Sequence, residues 1–248
     1  MTNLIGPDVS FYQDDPNTKI QIDFGKMASL SKFVIIRAGQ NLWRDPDVEY
    51  NWRMAKEAGL LRGSYWFYDS RAKPEQQADL WLAALNGDHP ECGAWCDFEE
   101  SYGGAYGMEK HFIAFLERVK DNFPPSVEVG VYTAPVWWGQ HIKELTYWHQ
   151  YLLWIANYKV IKPAIPAPWR ADEWTFWQYT DHGDGKAYGA ESFRIDLNYF
   201  NGDEKKLREV FRLPSAPEPP TIPPSTTTIM NIRITFDTST SGTWGLKE

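Results

Sequence analysis

The stretch Glu91–Glu100, ECGAWCDFEE, opens as a short apolar run and closes in acid. Trp95, Asp97 and Glu99 occupy alternate positions, so on a strand all three project from one face. The rise per strand residue sets the Asp97 and Glu99 Cα atoms about 6–7 Å apart. Carboxyl groups that close repel one another when ionised, so one of the pair is expected to hold its proton, and Trp95 adds desolvation. A proton-holding acid beside an ionised carboxylate is what cleavage of a glycosidic bond requires. As an isolated tripeptide, Asp-x-Glu equally describes a strand ending in solvated acids ahead of Gly103-Gly104. The rest of the chain decides between the two.

Outward from this stretch, apolar runs alternate with amphipathic segments. Leu4 to Val9 reads as a first strand and Ile22 to Leu30 as a short helix. Phe33-Val34-Ile35-Ile36-Arg37 is a continuous apolar run of the kind buried on both faces of a sheet. Asp45-Pro46 has the form of a helix start, and Gly59 ends that helix. Leu60 to Tyr68 is the next strand. The spacing of Leu80, Trp81, Ala84 and Leu85 predicts a helix over Pro74 to Leu85. The acidic stretch is the fourth strand, followed by a helix from Met108 to Val119. A fifth strand, Val127 to Tyr132, leads into a Trp-rich helical segment from Pro135 to about Trp148. Beyond it, Leu152 to Ala156, Trp174 to Tyr179 and Phe193 to Leu197 read as strands joined by Pro- and Gly-rich segments with no helical period. A last helix spans Asp203 to Phe211. The expected fold is α/β: a TIM-like barrel of eight strands with helices mainly after the first five. A parallel barrel carries its chemistry at the C-terminal ends of its strands. Asp8, Asp97, Glu99 and Asp196 are placed at such ends, which favours the functional reading of the acidic stretch.

Residues 1–213 are thus expected to form the barrel. Residues 214–228 are rich in Pro, Ser and Thr, with six prolines between Pro214 and Pro224, and read as an extended linker. In residues 229–248, Ile232, Ile234 and Phe236 alternate with polar residues. That is one strand at most, which does not stand alone; disorder, or pairing and self-association with a partner chain, is expected there.

The net charge of −8 and the absence of a basic run argue against nucleic acid and anionic membrane as partners. The 13 Trp, 13 Tyr and 13 Phe residues exceed what a core needs and suggest a surface for flat, partly apolar rings. The opening MTNLIGPDVS lacks a cationic segment followed by an apolar stretch, so no secretory signal is read. No stretch approaches the roughly 18 apolar residues of a membrane span. On one strand, Cys92 and Cys96 would lie ~13 Å apart, too far for a disulfide; reduced, packed thiols fit a cytoplasmic origin. His89, His111, His141, His149 and His182 show no ligand spacing, so neither metal nor cofactor is expected. Gly183-Asp184-Gly185-Lys186 leads into a strand rather than a helix, and so reads as a tight turn, not a phosphate loop.

The ordered set of motifs resembles glycoside hydrolase family 25, the muramidases of fungal-lysozyme type frequent among phage endolysins. Gly6-Pro7-Asp8-Val9-Ser10 with Gln13 is similar to that family's opening, and Phe33 to Ala38 to its second strand. Asn51, Ala55, Ala58-Gly59-Leu60 and Gly63-Ser64-Tyr65-Trp66-Phe67 resemble its helix-to-strand passage. Asp97-Phe98-Glu99 matches its catalytic Asp-x-Glu. Tyr132-Thr133, Leu153 to Tyr158, Trp177-Gln178-Tyr179 and Asp196-Leu197-Asn198 follow in order. The resemblance spans about residues 4 to 211. Pro7 stands where Ile is usual, Asp14 where Gly is common and Trp66 where His is frequent, and the last is expected to alter one sugar subsite.

The resemblance implies hydrolysis of the β-1,4 bond between N-acetylmuramic acid and N-acetylglucosamine in peptidoglycan, with bacterial glycan strands as the partner. It implies Glu99 as general acid and Asp97 as the group that orients the substrate's N-acetyl arm. Asp8 and Asp196 would tune the acid and bind hydroxyls, or one of them would be the second catalytic carboxylate. Arg37, Tyr65, Tyr132, Trp154, Trp177 and Tyr179 are candidate substrate contacts. Two further readings are a barrel that binds glycan without cutting it and a virion structural component docked through its tail. For an enzyme, the expected placement is a host bacterial cytoplasm before release to the wall, or a virion.

Overall fold

Val34, Ile36 and Ala38 turn to one side of their strand, while Phe33 and Ile35 turn to the other, and both sets are buried. A strand covered on both faces needs packing on two sides, and a barrel wrapped in helices supplies it. In the computed structural model, which describes residues 3–100 and 102–216, eight strands close such a barrel. They are β1 (Ile5–Val9), β2 (Phe33–Gln40), β4 (Leu61–Phe67), β5 (Ala94–Asp97), β6 (Val129–Thr133), β7 (Leu152–Ala156), β8 (Phe176–Asp184) and β9 (Arg194–Phe200), in that order around the ring. A two-residue strand, β3 (Trp43–Arg44), folds back on the end of β2.

Pairing is parallel from β1 through β8. It becomes antiparallel where β9 joins β8 on one side and β1 on the other. The last strand therefore runs opposite to the all-parallel expectation. Residues 185–193 form a hairpin, closed by Gly185 N donating to Phe193 O and Ala190 N to Gly185 O, and are too few for a crossover. The turn read at Gly183–Lys186 is part of this hairpin. Reversal brings the leading half of β9, with Asp196, to the mouth where the parallel strands end. Asp196 thus reaches the expected place by a route opposite to the expected one.

Helices α1 (Phe24–Leu30), α2 (Val48–Glu57), α3 (Pro74–Leu85), α4 (Glu109–Asn122), α5 (Pro135–His141) and α6 (Leu145–Trp148) follow the first five barrel strands, and α7 (Glu204–Val210) follows β9. The Trp-rich segment expected as one helix breaks in two at Ile142, whose backbone is extended. Asp45 does not start α2; Asp47 precedes its first residue. Asp45 is instead a buried acceptor for Phe11 N, Asp47 N and Arg37 Nε. Outside the ring, Trp66, Trp81, Cys96, Phe98 and Phe115 pack between strands and helices. Inside it, Phe33, Ile35, Cys92, Trp95, Trp154 and Phe176 fill the floor. Both cysteines are free and buried, one in each layer. No helix among the described residues is long and apolar enough to cross a membrane. The linker and tail from residue 217 onward lie outside the described residues.

Candidate active site

Alternation along the barrel strands builds the site above the Trp95 floor. Asp8 on β1, Arg37 on β2, Tyr65 and Phe67 on β4, Asp97 on β5, Tyr132 on β6, Trp154 on β7, Gln178 on β8 and Asp196 on β9 line one cavity of about 380 Å³. Glu99 lies two residues past the end of β5 and lines it too. It keeps the alternation because Phe98 stays bonded to the neighbouring strand: its N–H donates to Tyr132 O and its carbonyl accepts from Thr133 Oγ1. The Phe98 ring faces the outer core, which turns Asp97 and Glu99 inward together. Asp8 and Asp196 are direct partners across the antiparallel β1–β9 pair, so their side chains are neighbours.

The four carboxyls share a cavity that strips them of water. Asp8 and Asp97 are 4 % and 3 % exposed. Burial pushes Asp97 well above the usual carboxylate range, reinforced by Glu99 and Asp8, with Arg37 pulling the other way. Burial lifts Glu99 to about 7, with Asp8 and Glu100 adding to it and a hydrogen bond with Tyr132 opposing it. Asp196 is raised to about 8 by burial and then by Asp8, Asp181 and Glu99. Asp8 rises only to about 6, because hydrogen bonds from Asn198 and Gln178 offset its burial. Neighbouring carboxyls cannot all ionise, so the cluster retains protons near neutrality and Asp8 is the member that most readily carries charge.

The frame around Asp8 fixes it. Gln178 Nε2 and Asn198 Nδ2 each donate to Asp8 Oδ2 at 2.8 Å. Trp154 Nε1 donates to Asn198 Oδ1 at 2.7 Å, and the hydroxyls of Tyr132 and Tyr158 both donate to Gln178 Oε1. Each amide therefore has its oxygen engaged and its NH₂ aimed at the carboxylate. Asp97 has no such frame: its Oδ1 is buried without a hydrogen-bond partner.

Tyr65, Tyr132, Trp154 and Arg37 line the cavity as the sequence leads one to expect, beside all four acids. Trp177 and Tyr179 do not. Trp177 packs in the outer layer with its Nε1 bonded to Asn157 O, and Tyr179 stacks on Tyr199. They flank Gln178 on β8, so Gln178 points inward and they point out. Trp66 likewise lies in the outer layer, which removes the reason to expect a changed subsite from it. Gln178, Asn198, Tyr158, Phe67, Tyr12 and Tyr102 were not singled out as site residues, although all but Tyr12 and Tyr102 fall in the quoted motif blocks. Among the described residues, no group of three or more His, Cys, Asp or Glu side chains is arranged to hold a metal ion.

A closed barrel with a ring of partly protonated carboxyls at its mouth defines a glycoside-hydrolase kind of site. Residues 7–187 match glycosyl hydrolases family 25, and the chain belongs to that family. It is 29% identical over 218 residues to Lysozyme M1 of Streptomyces globisporus, covering 82% of this chain and 69% of that protein. An uncharacterized protein YegX of Escherichia coli K12 is 27% identical, over 82% of this chain and 71% of its own. The bacterial lysozyme of Streptomyces coelicolor superposes with a TM-score of 0.70 at 25% identity, covering 86% of this chain and 100% of that one. A family 25 glycosyl hydrolase of Bacillus anthracis gives 0.68 at 25% identity, over 85% and 93%. The protein is a glycoside hydrolase of the lysozyme kind, a peptidoglycan hydrolase.

Proposed function

We propose that the protein is an N-acetylmuramidase that cuts the β-1,4 bond between N-acetylmuramic acid and N-acetylglucosamine. The observation that carries this is Glu99, held by burial at a pKa of about 7 inside a cavity with four further carboxyls, three of them buried with it. A carboxylic acid poised there can protonate a leaving oxygen and, once ionised, take a proton from water. Glu99 gives its proton to the glycosidic oxygen as the C1–O bond breaks. The carbonyl oxygen of the 2-acetamido group closes on C1, and water later reopens that ring with Glu99 as base. Such substrate assistance departs from the two-carboxylate scheme. Asp97 suits the supporting role because Oδ1 is a buried acceptor with no donor among the described residues, ready for the acetamido N–H. Asp8 and Asp196 hold sugar hydroxyls and keep Glu99 protonated through the charge on Asp8.

The working placement is bacteriolytic: an endolysin made in a host bacterial cytoplasm, or carried in a virion, and acting on the wall. The test is reducing-end release from purified peptidoglycan, with mass spectrometry of the products. A reducing-end N-acetylmuramic acid is expected, and Glu99→Gln is expected to lose about 10²–10⁴-fold in rate. Reducing-end N-acetylglucosamine would move the cut to the other linkage. Binding with no release by the unchanged protein would leave a glycan-binding barrel.

A further inference from the structure

Arg37 is the one Lys or Arg among the described residues lining a cavity that otherwise carries five acids: Asp8, Asp97, Glu99, Asp181 and Asp196. It turns inward on β2 by the same alternation that buries Phe33 and Ile35 below it. One edge of its guanidinium is committed, Nε donating to Asp45 Oδ2 at 2.8 Å. Asp45 is itself pinned by Phe11 N and Asp47 N. The rings of Phe11, Tyr12 and Trp43 stand 4.9, 5.1 and 5.2 Å from the guanidinium carbon. A side chain 4 % exposed and this tightly held still spends only one of its five donors on a described residue, and among the described residues Nη2 is buried without a partner. Buried guanidinium donors are costly to leave unmade. The arrangement is therefore a preorganised fork awaiting an acceptor that the described residues do not provide.

We propose that this acceptor is the carboxyl oxygen of the 3-O-lactyl arm of muramic acid, which makes Arg37 the residue that selects muramic acid over N-acetylglucosamine. The inference rests on the muramidase reading of the cavity and deepens it. The two sugars differ only by that arm, on the ring carbon next to the one bearing the acetamido group. Asp97, assigned above to the acetamido group, feels the charge of Arg37. Arg37 on β2 and Asp97 on β5 line the same cavity with only β4 between their strands, which places the guanidinium for the substituent on the ring carbon adjacent to the acetamido carbon. An acid-lined cavity repels an anionic arm unless a fixed cation receives it. With the stem peptide attached the arm offers an amide carbonyl; with the peptide removed it offers a carboxylate, the stronger partner for guanidinium.

The experiment uses glycan strands freed of stem peptides, compared with the same strands after chemical reduction of the lactyl carboxyl to an alcohol. The unchanged protein is expected to lose about 10- to 100-fold in kcat/KM on the reduced strands, the worth of a hydrogen bond to a charged group. Arg37→Met is expected to cut both strands at similar rates, because its loss and the arm's loss are the same loss. Equal rates of the unchanged protein on the two strands would overturn the proposal, and this arm needs no variant to fold. So would an Arg37→Met protein, folded by its melting curve, that still prefers the carboxylate strands as strongly as the parent. Failure of the unchanged protein to release reducing ends from either strand, or from intact peptidoglycan, would instead sink the muramidase reading itself.

Discussion

Asp8 shows how one side chain sets the working state of another. Two amide donors hold it as the most acidic of the four buried cavity carboxyls, at about 6. Near neutrality it is therefore ionised, and its charge raises Glu99, Asp97 and Asp196. Asp8→Asn removes that charge without emptying the space. Glu99 then ionises at a lower pH, so the alkaline limb of kcat/KM, where the general acid loses its proton, moves toward acid. The move is smaller than the whole elevation of Glu99, because burial is the larger cause. A pH–rate profile of the variant decides the matter: an alkaline limb that stays put, or moves toward base, removes Asp8 from this role. The acids were legible not from Asp-x-Glu alone, which equally fits solvated acids, but because Asp8, Asp97, Glu99 and Asp196 all fall at strand ends, where a barrel gathers its chemistry. Their frame was not, since nothing in a lone Gln or Asn says which carboxylate it will meet.

At the scale of elements, strand alternation was readable where an anchor fixed its phase and ambiguous elsewhere. In β5 the acids supply the anchor, and Trp95, Asp97 and Glu99 share a side as the spacing predicts. In β8 the aromatic candidates take the other phase, Trp177 and Tyr179 facing out while Gln178 faces in; in β4 the candidate Tyr65 lines the cavity, but Trp66, expected to alter a subsite, faces out. Matching a motif block does not say which face a residue takes. The same β2–β4 region holds a packing constraint. A Cβ on Gly39 would lie 2.4 Å from Trp66 Cζ3 and 2.5 Å from Trp43 O, at the β2 bulge. Gly39→Ala should destabilise by about 1–3 kcal/mol through overpacking. Trp66→Leu should relieve part of that cost; it deprives no protein partner, since Trp66 Nε1 has none. Denaturant melts of the two single variants and the double variant measure the coupling. Additivity within about 0.5 kcal/mol would mean that Gly39 is not there to admit Trp66.

For the whole molecule, the cavity that makes the chemistry also shapes stability against pH. Asp8, Glu99 and Asp196 have folded pKa values of about 6, 7 and 8, Asp97 is raised well above its ordinary value, and Asp14 is raised to about 6 by burial and its acidic neighbours. In the unfolded chain such groups titrate near 4. Between about pH 4 and pH 8 the folded protein therefore binds more protons than the unfolded chain, and stability falls as pH rises through that window. Groups shifted the other way, Asp88 beside Arg62 and Glu173 beside Arg170 and His149, act only at more acidic pH, where their pairing is lost. The melting temperature is thus expected to be higher at pH 5 than at pH 8. Asp196→Asn removes one raised carboxyl together with its repulsion of Asp8, so its melting temperature should depend less steeply on pH over the same range. Melting curves at fixed ionic strength test both statements. A parent that grows more stable from pH 5 to pH 8, or an Asp196→Asn protein with an unchanged slope, would mean that the cavity carboxyls are ionised in the folded state, and Glu99 would then have no proton to give at neutral pH.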